Sequence, residues 1–249
     1  MGDSSGPNVR ETVESLRSRE EWERWYAKPD PWETEGSDTD RVRTEAILER
    51  LKHAHFVNFL DLGCGEGRLT KALSMHCQNT YAFDIEENAL ERARSRYQNV
   101  EFRQGDLLDV IVLPEIVRIP FDLISVSEVL YYLQTDEERN AAISGLARIG
   151  TLACLYYFSA IVTGASKYRR YFTYDSFLQL LSGHFNVIDT FPSVANVPRW
   201  LGLLRYLWPS EPRTLAVLRA WTATRRPEDG RHVGCFALKR EAGSSATLK

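Results

Sequence analysis

The sequence predicts an α/β fold built on a doubly wound, mostly parallel sheet, and three observations carry that prediction. The stretch FLDLGCGEG, Phe59–Gly67, is an apolar strand running into a turn with glycine at every second position. From Phe56 to Phe158, short apolar runs alternate with amphipathic helical patterns, which is the rhythm of strand–helix–strand crossovers. Phe121–Val126 and Leu152–Phe158 are apolar almost without a break, as strands covered on both faces should be.

The 249 residues, 43% of them apolar, suffice for one sizeable core with an elaborated flank. Residues 1–10 are rich in Gly, Ser and Pro and are expected to be disordered. Glu11–Tyr26 has a helical pattern with Val13, Leu16, Trp22, Trp25 and Tyr26 in one stripe, and Pro29 and Pro31 end it. A second helix is expected over Arg41–His53, with Val42, Ala46, Ile47 and Leu51 on one face. Residues 1–55 thus form an N-terminal helical cap. The alternating domain, 56–240, follows, with strands expected at Phe56–Asp61, Thr80–Asp84, Val100–Arg103, Phe121–Val126 and Leu152–Phe158. Helices are expected at Arg68–Cys77, Glu86–Tyr97 and Thr135–Ile149, with a broken turn near Leu113–Val117. Beyond Ser159 the rhythm changes, to a loop or short helix at 161–170, a helix at Thr173–Ser182 and a strand at Phe185–Phe191. Residues 192–230, with helical patterns at Pro198–Leu207 and Thr214–Thr224, are too long for an ordinary connection and read as a lid insertion. His232–Lys239 is the last strand, and 241–249 a frayed tail.

Composition excludes several classes. A formal charge of −3 gives no global attraction to nucleic acid or anionic membrane. No apolar run approaches the roughly 18–20 residues of a membrane span, and the N-terminus lacks the apolar core of a secretory signal. Cys64, Cys77, Cys154 and Cys235 are scattered without metal spacing or a disulfide frame, which suits a reducing, cytoplasmic setting. No carboxylate–histidine cluster suggests a metal.

The glycine turn is not a dinucleotide fingerprint, because the third small residue falls at Gly67 and position 68 is Arg68. It is not a phosphate-binding P-loop either, because no Gly-Lys-Ser/Thr follows. Asp61-Leu62-Gly63-Cys64-Gly65-Glu66-Gly67 resembles motif I of the class I S-adenosylmethionine-dependent methyltransferases. The resemblance implies a Rossmann-like sheet of seven strands with the last one antiparallel. It also implies S-adenosylmethionine as cofactor and S-adenosylhomocysteine as product. Asp61, Gly63, Gly65 and Gly67 would form the turn, and Asp84-Ile85 would take the ribose. Gly105-Asp106-Leu107 would hold the adenine, and Ser127-Glu128 would border the methionine part and the reacting methyl. Trp22–Trp32, WERWYAKPDPW, is similar to the entry region of the NodS-like methyltransferases, in which a helix ending in Asp-Pro-Trp closes over the cofactor. That resemblance implies lid contacts from Trp25, Tyr26 and Trp32 and N-methylation of an amino sugar.

An amine acceptor needs only to be neutral when it attacks, whereas a hydroxyl usually also needs a base. Glu128 and Tyr131 are the expected substrate contacts. His53, His55, His76 and His232 read as solvated or core residues, which leaves His184 as the histidine to test. Tyr131, Tyr132, Tyr156, Tyr157, Tyr168, Tyr171, Phe172 and Tyr174 would supply apolar walls with hydroxyl tips. The expected protein is a monomer or homodimer acting on a small molecule, with an anionic or sugar-containing acceptor suggested by the basic 192–240 segment. Three alternatives stay open: an O-methyltransferase, a nucleic-acid methyltransferase, and a cofactor-binding regulator without catalysis.

Overall fold

The computed structural model describes residues 19–158, 172–195, 219–222 and 224–241. Two helices come first, α1 (Arg19–Tyr26) and α2 (Asp38–Leu51). Five strands with helices between them follow: β1 (Phe56–Leu62), α3 (Arg68–Ser74), β2 (Cys77–Asp84), α4 (Glu87–Arg96) and β3 (Glu101–Gln104), then the short helices α5 (Leu107–Val110) and α6 (Pro114–Val117). β4 (Phe121–Ser127), α7 (Asp136–Ile149) and β5 (Gly150–Phe158) complete the run, and α8 (Tyr174–Leu181), β6 (Phe185–Ala195) and β7 (Gly230–Lys239) close the chain.

The sheet has seven strands in the order β3-β2-β1-β4-β5-β7-β6. The first five are parallel, and β7 lies antiparallel to both β5 and β6. The antiparallel last strand expected from the resemblance is therefore present. After β1 the chain builds outward to β2 and β3, then crosses back to place β4 on the other side of β1. Where the winding direction reverses, connections leave in opposite directions and a crevice opens at the carboxyl ends of β1 and β4.

Strand parity sorts the apolar residues onto two faces. Leu60, Leu62, Ile124 and Val126 point to the face covered by α5, α6, α7 and α8, where Val110, Ile116, Ile143, Leu146 and Phe177 meet them. Phe59, Leu123 and Cys154 point to the other, where Ile47 and Leu51 of α2 join Leu69 and Leu73 of α3. Ile47 is fully buried, and such a side chain contributes about 1.5–3 kcal/mol. α2 is thus a sheet-covering helix, and α1 and the loop after it are what reach over the crevice.

Local chemistry explains most boundary differences. α2 starts three residues before the expected Arg41, because Ser37 caps it by accepting from the Asp40 N–H at 3.3 Å. α7 starts as expected, with a reciprocal capping box between Thr135 and Glu138. β2 begins at Cys77 rather than Thr80, since polar Asn79 pairs beside Asn58 and their amides bond at 3.0 Å. β6 runs on to Ala195 through register shifts at Pro192 and Val194, so the first residues of the expected lid are strand. The loop or short helix expected at 161–170, the helix expected at 198–207, most of the one at 214–224, and Tyr168 and Tyr171 lie outside the described residues.

Candidate functional site

The site grows from the end of β1. The N–H groups of Gly63 and Cys64 both donate to the Phe83 carbonyl, at 2.8 and 3.1 Å, which fastens the turn to the end of β2. Gly63, Gly65 and Gly67 adopt φ of 75°, 53° and 77°, the left-handed region that a side chain disfavours. At Gly63 the need is also steric, because a Cβ would stand 2.2 Å from Val129 Cγ2. The Gly65 N–H donates to Asp84 Oδ2 at 2.7 Å, and the Glu86 N–H to Oδ1 at 3.0 Å. Burial pushes the Asp84 carboxyl up, against these backbone N–H groups and that of Ile85.

Asp61 lies deeper, 2% exposed, and accepts from Thr70 Oγ1 at 2.5 Å. Burial raises its carboxyl to about 6; the Thr70 hydrogen bond opposes this and nearby Asp84 adds to it. A carboxyl raised on folding binds its proton more tightly in the folded chain. Its contribution to stability is therefore greatest below about pH 4 and is lost as pH rises to about 6. Asp61→Asn is expected to flatten that part of the curve by about 2–3 kcal/mol, read by urea unfolding at pH 4 and pH 7. An unchanged slope would mean the charge is relieved by another group.

Above the turn sits the cap. Tyr26 is buried, its hydroxyl 3.2 Å from where a Gly65 Cβ would be, and it accepts from Trp32 Nε1 at 2.8 Å. Trp22 packs edge-on against Tyr132, 5.0 Å between centroids, joining α1 to the turn after β4. The anchor is Glu66, 8% exposed. Its carboxylate accepts from the Asp30 N–H at 2.8 Å, from Arg92 Nε at 2.8 Å and from Arg96 at 2.9 Å. Arg92 also donates to the Tyr26 carbonyl at 2.9 Å. One carboxylate in the glycine turn thereby holds the loop after α1 and the face of α4 together.

Between cap and sheet edge lies a cavity of about 650 Å³. At its far wall Glu128 follows β4 with φ of 62°, a conformation costing on the order of 1 kcal/mol for a residue with a side chain. Glu128 Oε1 lies 2.7 Å from His232 Nδ1 of β7. Burial works to raise the Glu128 carboxyl, but His232, Arg43 and a hydrogen bond from Tyr131 outweigh it and hold it below the usual carboxylate range. Glu128 Oε2 and Ser127 Oγ are buried without a hydrogen-bond partner. Both residues line the cavity, and buried polar atoms without partners call for a reason.

Most residues singled out from sequence meet here. Asp61, Gly63, Gly65, Asp84, Ile85, Gly105, Asp106, Leu107, Ser127, Glu128, Tyr131 and Trp32 all line the cavity. Asp106 also caps α5, accepting from the Leu108 N–H at 2.8 Å. Three residues fall elsewhere. A Cβ on Gly67 would face Phe102 at 2.8 Å, so this glycine serves packing. Trp25 stacks behind Trp32, 5.1 Å between centroids, and does not reach the cavity. His184 is exposed before the first residue of β6, at the sheet edge opposite the crevice, so it is corrected from candidate base to surface residue. His232, read from sequence as solvated or core, lines the cavity instead. Because β7 runs backwards, its beginning and not its end lies at the crevice, with His232 in register with Phe158. Tyr132, expected as a wall aromatic, lines the cavity, and so do Arg43, Arg68 and Trp22, to which no spacing rule pointed.

The Nodulation protein S (NodS) family model matches residues 16–189. Nodulation protein S of Rhizobium tropici is 31% identical over 141 residues, covering 55% of this chain and 58% of that protein. The Bradyrhizobium diazoefficiens protein of the same name is 30% identical over 128 residues, covering 50% and 59%. The chain thus spans little more than half the length of the curated relatives it matches. Among solved structures, the N-methyltransferase NodS of Bradyrhizobium japonicum WM9, in complex with S-adenosyl-L-homocysteine, superposes with a TM-score of 0.65 at 18% identity, covering 93% of this chain and 99% of that one. At that identity the likeness establishes the fold.

Proposed function

The chain belongs to the NodS family, and from that premise we propose that it is an S-adenosylmethionine-dependent methyltransferase that methylates an amine of a small molecule. Bound under the cap, S-adenosylmethionine would supply an electrophilic methyl, so the hard chemistry belongs to the cofactor. Asp84 and Ile85 would hold its ribose, Asp106 and the Leu107 N–H its adenine, and the Gly63–Gly65 turn its amino-acid end, with Tyr26 and Trp32 covering it.

The observation that carries the amine is Glu128. Its carboxylate is held below the usual carboxylate range, belongs to a residue that lines the cavity, and keeps one buried oxygen without a hydrogen-bond partner. A protonated amine satisfies such an oxygen with a charge-assisted hydrogen bond, whereas an anion would be repelled. The rest of the lining agrees, since among the described residues eight carboxylates face the cavity against three arginines. An amino sugar, as in the N-methylating subgroup, fits this surface together with the Trp22 and Tyr132 rings. A cytoplasmic setting suits four cysteines that form no disulfide, and no described helix is long and apolar enough to cross a membrane.

Two measurements test the reading. Calorimetry should detect binding of S-adenosylmethionine and S-adenosylhomocysteine but not of NAD, and tight NAD binding would overturn the cofactor. Asp84→Ala should then weaken S-adenosylhomocysteine by about 2–3 kcal/mol, roughly 30- to 150-fold, the value of hydrogen bonds to a charged acceptor. Unchanged affinity would move the ribose elsewhere. Mass spectrometry of a panel of primary amines, glucosamine among them, should find a methylated product; methylation confined to alcohols would overturn the amine.

A further inference from the structure

We infer that His232 is a catalytic residue of this site, the group that takes a proton from the acceptor's ammonium, with Glu128 holding the imidazole in place. The inference rests on the amine reading above. His232 and Glu128 come from different parts of the chain, β7 and the turn after β4, yet their side chains meet at 2.7 Å on the cavity wall. The contact is made through Nδ1, so the carboxylate accepts from that nitrogen and fixes the tautomer, leaving proton exchange to the Nε2 edge of the ring. Both side chains are mostly withdrawn from solvent, at 18% and 16% exposure, so the pair is preformed and not a surface encounter. The left-handed backbone at Glu128 is a second sign, because strain held in place by its surroundings is a mark of functional positions.

The chemistry follows from where the charges lie. An amine at neutral pH arrives as an ammonium, which has no lone pair to offer. In the step assigned here, the N–H bond breaks, its electron pair stays on the acceptor nitrogen, and the proton passes to the imidazole. A neutral amine and an imidazolium result. Glu128 faces one positive charge before this step and one after it, so the transfer proceeds with little change in the field at its carboxylate. The other groups facing the pair are Tyr131, whose hydroxyl bonds Glu128, and Arg43 of α2, with Asp40 paired to it and Asp61 on the same cavity wall. No local pattern joins His232 to Glu128; the reversed direction of β7 brings its first residues to the same edge.

His232→Gln keeps an N–H that can donate to Glu128 and removes the proton acceptor. With a primary amine that the wild-type protein methylates, the variant's kcat/KM at pH 7 should fall about 100-fold. Above pH 9, where solvent supplies neutral amine, the deficit should shrink below tenfold. S-adenosylhomocysteine affinity, measured by calorimetry, should stay within twofold of wild type. A deficit that is the same at every pH, or one that tracks lost affinity for S-adenosylhomocysteine, would overturn the assignment. Should the variant fail to fold, the wild-type protein decides alone: its kcat/KM should rise through an ionisation separate from, and below, that of the amine. A profile rising only with the amine's own ionisation would overturn it. Failure of the wild type to methylate any amine strikes instead at the amine reading and is told apart by that absence.

Discussion

Alanine at Gly63 is expected to weaken S-adenosylhomocysteine at least 30-fold and to lower the unfolding free energy by about 2–5 kcal/mol. Two costs add. The left-handed backbone at φ 75° disfavours any side chain by about 1–2 kcal/mol. The new methyl would also overlap Val129 Cγ2 at 2.2 Å, and relief requires moving either the turn or the residue next to Glu128. Gly36 supplies the control, because it has nearly the same φ, 73°, with nothing within 4 Å of its would-be Cβ. Gly36→Ala should show the conformational cost alone and leave ligand affinity within about threefold. Urea unfolding and calorimetry on both variants make the comparison. Equal behaviour of the two would mean that the contact with Val129 carries no energy.

Glu66→Gln is expected to be the second most damaging change, although Glu66 need not touch any ligand. Its carboxylate serves two arginines and one backbone N–H. Removing the charge leaves the arginines facing each other across a largely closed space. The cost should be about 2–4 kcal/mol, below that of a wholly buried pair, because Arg92 and Arg96 keep 22% and 36% of their side-chain exposure. Its signature is local. Amide exchange should quicken in α1 and the loop around Asp30 while the strands stay protected, and S-adenosylhomocysteine affinity should fall with the loosened cap. Uniform acceleration throughout the sheet would show instead that Glu66 supports the core.

The parts of the molecule legible in the sequence are those governed by local rules. Phe59–Gly67 announced a strand and a turn because apolar alternation and glycine spacing are written in neighbouring residues, and the structure places both there. Thr135 and Glu138 announced the start of α7 in the same way. Ser37 was missed as a cap because acidic residues after it looked like loop. The cavity residues Asp84 and Asp106 were legible because each sits at or just past the end of its own strand. His232 and Arg43 were not, since each reaches the cavity through pairing or packing between segments far apart in the chain. His184 and His232 show the difference within one residue type. Each stands at the start of a strand, and only the direction of that strand decides which sheet edge it occupies.

The insertion of β7 between β5 and β6 has a consequence for the order in which the molecule can be completed during synthesis. Chains emerge from the ribosome N-terminus first, and the early units can fold as they appear. β1 through β5 bring Glu128 to its place with the glycine turn beside it. β6 then emerges without its neighbour, since among the described residues its partner strand is β7. When β7 arrives, it joins both strands and delivers His232 to Glu128 across a separation of 104 residues. A partly made chain can therefore own a nearly finished cofactor crevice, but the proton-handling pair is assembled only when the last strand is in.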